Sequence, residues 1–226
     1  MRGCFVTGTD TEVGKTLITC GLLHACRQRG ASALGMKPVA AGAAQVQGQW
    51  LNDDVEAIVA ASSVAAERSL INPYLFEPPV APHIAASEAG RDIDVDHIVE
   101  CFGKLAAVAD VVIVEGVGGF RVPLQERFDT ADLAVALGLP VVLVVGARLG
   151  CINHALLTAE AIRARGLSCI GWVANQIDPH MQRLDENLAT LDELLDMPRL
   201  AFVEHLSRPE ARSVASRIRL PAELVP

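Results

Sequence analysis

The run Gly8-Thr9-Asp10-Thr11-Glu12-Val13-Gly14-Lys15-Thr16 places two glycines, a lysine and a hydroxyl where a backbone loop can wrap a phosphate. Backbone N–H groups of such a loop and the positive end of the helix that follows converge on one point, so an anion can be held without a basic surface. Lys15 reaches the terminal phosphates, and Thr16 offers its hydroxyl to a magnesium ion carried by them. The spacing departs from the strict G-x-x-x-x-G-K-[ST] pattern, since five residues separate Gly8 from Gly14 and Thr9 stands where the first glycine belongs. A plain strand-to-helix turn is the simpler alternative, but the position directly after the first apolar run favours nucleotide binding. A dinucleotide loop is disfavoured, because the second and third glycines of G-x-G-x-x-G are missing.

Magnesium on a triphosphate takes one or two carboxylates besides the loop hydroxyl. Glu115 lies between Val111-Val112-Ile113-Val114 and Gly116-Val117-Gly118-Gly119. An acid that ends a buried strand is costly unless paired or metal-bound. Asp53-Asp54 opens a helical segment that runs to about Ala66, and Asp53 reads as its cap. Lys37, in Gly35-Met36-Lys37-Pro38-Val39, ends the second predicted strand among apolar neighbours. Two roles fit it: neutralising charge on a transferring phosphoryl group, or a strand-end lysine whose ammonium reaches water.

These side chains need a scaffold that gathers strand ends. Short apolar runs at Cys4–Thr7, Ala33–Val39, Val111–Val114, Val141–Val145 and Cys169–Ala174 alternate with helix-period segments such as Lys15 to Arg29. That alternation predicts an α/β fold of the P-loop NTPase type, a mostly parallel sheet with helices on both faces and ligands at the strands' carboxyl ends. Residues 71–83 contain four prolines and read as a long connection, either a surface loop or a substrate-side lid. With 226 residues, 51% hydrophobic and 20% charged, residues 1–226 are expected to form a single domain. A net charge of -8 argues against nucleic acid as a partner. No apolar run is long enough to span a membrane, and Met1 to Gly8 enter a strand-like run with no export signal. The six cysteines are scattered without a C-x-x-C pair, as expected of buried free thiols in the cytoplasm.

Taken together, the sequence resembles the dethiobiotin synthetase family. Phe5 to Thr16, Lys37-Pro38-Val39 and Val114 to Gly119 carry the resemblance, with Leu149-Gly150-Cys151-Ile152-Asn153-His154-Ala155 and Gly171-Trp172-Val173-Ala174-Asn175. Asn72-Pro73-Tyr74 and Pro82-His83-Ile84 add to it. The resemblance implies an ATP- and Mg2+-dependent ligase of biotin synthesis. In that reaction 7,8-diaminononanoate captures CO2 as a carbamate, the carbamate is phosphorylated by ATP, and the neighbouring amine closes the ureido ring. By the same resemblance Thr16, Asp54 and Glu115 hold magnesium, while Thr11, Glu12 and Lys15 surround the phosphates and carbamate. Lys37 is the catalytic lysine, with Lys15 and Thr11 beside the reacting groups. Glu12, Val13, Gly14, Lys15, Thr16 and Leu17 form the nucleotide loop, and Gly116, Val117 and Gly118 flank it. Asn175 and Gln176 read the adenine edge with Glu204, His205 and Leu206. Substrate contacts fall to Thr11, Lys37 and Ala41.

The family resemblance further implies a homodimer. In it Gly150, Cys151, Ile152 and Asn153 of one subunit meet the substrate carboxylate bound to the other, at a helix N-terminus that Asn153 also suits as a cap. Three positions depart from the family pattern: Ala41 replaces a common serine, Asn187 a tyrosine near the substrate tail, and Glu204 a proline in the base-binding loop. Contact at Ala41 must then come from backbone or water. Glu210 serves either the ribose or, as favoured here, the cap of the last helix. The rival on the same fold is an ATPase switch of the partitioning or division-site class. It wants a second lysine inside the phosphate loop and a basic amphipathic tail, and the sequence has neither.

Overall fold

The first apolar run becomes β1 (Arg2–Gly8), buried from Gly3 onward, and the loop after it leads straight into α1 (Lys15–Gln28). This computed structural model describes residues 2–225, so Met1 and Pro226, the ends of the expected domain, lie outside the described residues. The single strand expected over Ala33–Val39 is broken. β2 (Ala33–Met36) stops at Lys37-Pro38, and β3 (Val39–Ala41) belongs to a different small sheet. Proline has no N–H to donate to a ladder, which ends pairing there and turns the chain out toward the strand tips.

An exposed hairpin follows, β4 (Ala44–Val46) with β5 (Gln49–Leu51), then α2 (Asp53–Ala61), which is shorter than expected. Asn52, and not Asp53, caps α2 with its side chain. Next come α3 (Arg68–Ile71), β6 (Tyr74–Phe76) and α4 (Pro82–Glu88). The proline-rich connection is therefore not irregular throughout: β6 pairs in parallel with β3, and Pro82 takes a first-turn position, where its missing N–H costs nothing.

The remaining elements are α5 (Val95–Ala106), β7 (Val111–Glu115), β8 (Pro123–Gln125), β9 (Phe128–Asp129) and α6 (Thr130–Leu137). They are followed by β10 (Val141–Ala147), α7 (Cys151–Ala164), β11 (Cys169–Gln176), α8 (Leu184–Leu194), β12 (Arg199–Val203) and α9 (Ala211–Ala215). Glu210 occupies the position before α9, but its side chain caps nothing; its carbonyl accepts from the Ser213 hydroxyl at 2.8 Å.

Six parallel strands form the central sheet in the order β12-β11-β10-β1-β7-β2, as the βα alternation predicts. One apolar core joins α1 to the sheet through Phe5, Ile18, Leu22 and Val114, and a second joins Leu143, Val145 and Trp172 to Leu188 and Leu191 of α8. Both faces are thus covered, which explains why β7 and β10 are fully buried and read as unbroken apolar runs. The chain steps from β1 to β2 on one side and later to β10 on the other, so the crevice opens above β1, where the sheet order reverses. All six cysteines are free, and only Cys169 is partly exposed. No helix among the described residues is long and apolar enough to cross a membrane.

Candidate active site

The loop after β1 holds its shape through backbone conformations few residues adopt. Glu12 has φ 59° and Gly14 φ 91°, and a Cβ on Gly14 would lie 2.2 Å from the Asn175 amide nitrogen. Glycine at 14 therefore answers two demands at once, a left-handed turn and the close approach of β11. Asn175 Nδ2 donates to the Val13 carbonyl at 2.9 Å. One hydrogen of the amide that the family resemblance assigns to adenine is thus engaged beneath the loop. Asp10 closes the outer side: its carbonyl accepts from Lys15 Nζ at 2.9 Å, and its carboxylate pairs with Arg148 at 2.6 Å. Sequence reading gave no sign of that pair, because Arg148 arrives from the end of β10.

Lys37 and Glu115 meet at the tip of the sheet. β7 lies between β1 and the edge strand β2, and register sets Glu115 beside Val6 and Val114 beside Met36. Lys37 thus reaches the site across β7, not from a strand adjoining β1. Its Nζ donates to Glu115 Oε1 at 2.5 Å and to Asp54 Oδ2 at 3.0 Å. Only 3% of Lys37 and none of Glu115 is exposed. The ammonium does not reach water, which removes the snorkelling alternative. Burial alone would lower the Lys37 pKa, but the charges and hydrogen bonds of Glu115 and Asp54 override it and raise the pKa. For Asp54, partial burial pulls upward, and the Lys37 charge with the Thr16 hydrogen bond brings the net shift below the ordinary carboxylate range. Lys15 lacks such close partners, so burial and the Lys37 charge bring its pKa down to about 8.

The Thr16 hydroxyl lies 2.8 Å from Asp54 Oδ1 and 2.9 Å from Glu115 Oε1. It has one proton to donate, so one of these contacts must join two oxygens without a hydrogen between them. Glu115 Oε2 is also buried with no hydrogen-bond partner. Such a crowd of oxygens fits a hard cation. Among the described residues no three His, Cys, Asp or Glu side chains gather as metal ligands. Two carboxylates and a hydroxyl leave further positions to water and phosphate, which suits magnesium better than zinc.

These groups line one cavity of about 820 Å³. Thr11, Glu12, Gly14, Lys15 and Thr16 form one wall, and Lys37, Asp54 and Glu115 its floor, with Ala41, Val117 and Gly118 alongside. Ala40, Asn52 and Val122 also line the cavity without having been singled out in the sequence, and Pro79 to Pro82, from the connection read as either a surface loop or a substrate-side lid, supply an apolar wall. That wall brings part of the proline-rich connection to the substrate side.

Other expected site residues lie elsewhere. Val13 is buried, half-buried Leu17 and buried Gly116 do not line the cavity, and Gln176 accepts from the His205 N–H at 3.2 Å, beside exposed Glu204 and half-buried Leu206. Gly150 precedes α7 with φ 95° and no side-chain cap, so Asn153 is an exposed first-turn residue and not the cap. Neither Gly150, Cys151, Ile152 nor Asn153 lines the cavity. Asn187 is half-buried on α8 and donates to the Arg183 carbonyl at 2.7 Å.

A family model described as an AAA domain matches residues 2–212. The ATP-dependent dethiobiotin synthetase BioD of Aromatoleum aromaticum is 59% identical over 220 residues, which span 97% of this chain and 98% of that one. The chain belongs to the dethiobiotin synthetase family. A second member, the ATP-dependent dethiobiotin synthetase BioD of Ralstonia nicotianae, is 52% identical over 95% of this chain and 94% of its own. Among solved structures, a ParA family ATPase from Chlorobium tepidum superposes with a TM-score of 0.56 at 15% identity, covering 96% of this chain and 90% of that one. The MinD cell division protein of Aquifex aeolicus gives 0.54 at 14%, covering 96% and 87%. At such identities these likenesses show a shared P-loop fold and carry no activity, so the switch-class alternative is the weaker one.

Proposed function

We infer that this chain is an ATP-dependent ligase that converts 7,8-diaminononanoate and CO2 to dethiobiotin, releasing ADP and phosphate, with residues 1–226 acting as one domain. The observation that carries the reading is Lys37, a buried ammonium held between two carboxylates in the cavity that the phosphate loop walls on one side. A binding module or switch has no need of such a group beside an apolar, proline-walled pocket.

One amine of the substrate takes up CO2 and releases a proton, giving a carbamate. A carbamate oxygen attacks the γ-phosphorus of ATP, the bond to the bridging oxygen breaks, and ADP leaves. The second amine then attacks the carbonyl of the mixed anhydride, a C–N bond closes the ring as the carbonyl C–O bond to the phosphoryl group breaks, the amine gives up a proton to solvent, and phosphate departs. This chemistry asks for positioning and charge neutralisation more than for a strong base. Lys15 would hold the terminal phosphates, while Thr11 and Glu12 would flank the carbamate. Lys37 would face the charge that spreads over the transferring phosphoryl group. Thr16, Asp54 and Glu115 would hold magnesium, which when bound supplies neutralising charge at the phosphates. Gln176, Glu204, His205 and Leu206 would lie on the base side, with Asn175 shaping the loop from below.

A second copy completes the site in this reading. The start of α7 has no side-chain cap, lies outside the lining of the home cavity, and follows Leu149, which is 91% exposed. Gly150 to Asn153 would take the tail carboxylate of substrate in the partner's cavity. Sedimentation velocity should find a dimer; a monomer at assay concentration would remove this part. Six free thiols suit a reducing compartment, and the cytoplasm is where this ligase would work.

The purified protein should convert ATP to ADP only when diaminononanoate, bicarbonate and magnesium are all present, with dethiobiotin formed in step. Turnover stimulated by DNA or lipid and indifferent to the diamine would replace this reading with the switch class.

A further inference from the structure

Asn52 belongs to no phosphate-loop, lysine or strand-end motif, yet it lies in the cavity wall between Ala41 and Asp54. Its two side-chain functions face opposite ways. Oδ1 accepts the N–H of Asp54 at 3.1 Å and of Val55 at 3.3 Å, which caps α2. Nδ2 donates to the Ala41 carbonyl at 3.1 Å and lies 3.5 Å from that of Gly42. Between those carbonyls and Asn52 the chain runs out through the exposed β4–β5 hairpin and back. The amide therefore fastens the point where the chain leaves β3 to the point where it enters α2. Beyond that helix start, Asp54 contacts both Thr16 and Lys37.

We propose that Asn52 is a positioning residue that sets the distance between the amine-side wall at Ala41 and the cation-side carboxylate of Asp54. The proposal rests on the synthetase reading above. Ala41 has no hydroxyl with which to meet the substrate, so backbone placement is all that it offers, and its carbonyl is held by Asn52. A cap alone would need only the acceptor. The donor half of the amide is what joins the two walls.

Serine caps helices well but is too short to reach the Ala41 carbonyl at the same time, so Asn52→Ser separates the two functions. Asn52→Ala removes both. For Asn52→Ser the KM for diaminononanoate should rise about ten-fold, the equivalent of one lost hydrogen bond, with the KM for ATP within about two-fold of wild type. Its magnesium titration should match wild type and its urea midpoint should fall by no more than one hydrogen bond's worth, less than for Asn52→Ala, which loses the cap as well. An Asn52→Ser enzyme with an unchanged diamine KM would overturn the proposal. So would a loss shared equally by both substrates and the urea midpoint, since that describes a cap and nothing more. A wild-type chain that makes no dethiobiotin would instead remove the synthetase reading and this proposal with it.

Discussion

Lys37→Ala is expected to lower kcat by roughly 10²–10³-fold while the dissociation constant for ATP changes by less than about three-fold. The Lys37 ammonium hydrogen-bonds to the Glu115 and Asp54 carboxylates, and the groups that would grip the nucleotide before reaction are the loop and Lys15. A group that meets charge developing on the phosphoryl oxygens contributes to the transition state and little to the ground state, so its loss appears in kcat. Lys37→Arg should recover little. A planar guanidinium cannot fill the compact position that a single ammonium holds between Glu115 and Asp54. Steady-state kinetics paired with calorimetry of ATP binding checks both halves, and a parallel loss of ATP affinity would reduce Lys37 to a binding lysine.

Glu115→Ala should destabilise the fold by about 3–5 kcal/mol, because it strips a buried ammonium of its nearest partner. The effect should exceed that of Asp54→Ala, whose side chain is 45% exposed and whose place water can take. Lys37 has a raised pKa, so its contribution is present below the ordinary lysine value and is lost only as pH rises through the folded one. Asp54 has a lowered pKa, so its contribution is present above the ordinary carboxylate value and is lost as pH falls through the folded one. The pair is therefore complete across the neutral range, where urea unfolding of Glu115→Ala against wild type gives the comparison. A difference below about 1 kcal/mol, the level of a surface pair, would contradict the buried-network account.

The phosphate loop, Glu115 and Lys37 were legible because each sits at the end of an apolar run, and a parallel sheet brings such ends to one edge. The walls between them were not. Ala33 to Val39 reads as one strand, and only the pairing of Val39–Ala41 with Tyr74–Phe76 shows that two sheets share it. Pro79 and Pro82 signal an interrupted chain without saying which side it faces. Asn52 could have been found, since Asn before Asp-Asp at a helix start is a cap signal, but its second bond to Ala41 depends on a fold-back across the hairpin. Asn175 and Arg148 were placed by β10 and β11, far from the loop in sequence, so their hold on Val13 and Asp10 left no local trace.

In the proposed reaction an oxygen of the carboxylated amine, and not water, attacks ATP in this cavity. Reaction in 18O-labelled bicarbonate and ordinary water, sampled before the label exchanges with solvent, tests it by mass spectrometry of the released phosphate. Phosphate carrying a labelled oxygen for each ring closed is the predicted result. Unlabelled phosphate formed alongside dethiobiotin would show that the new P–O bond came from water, and would contradict the account.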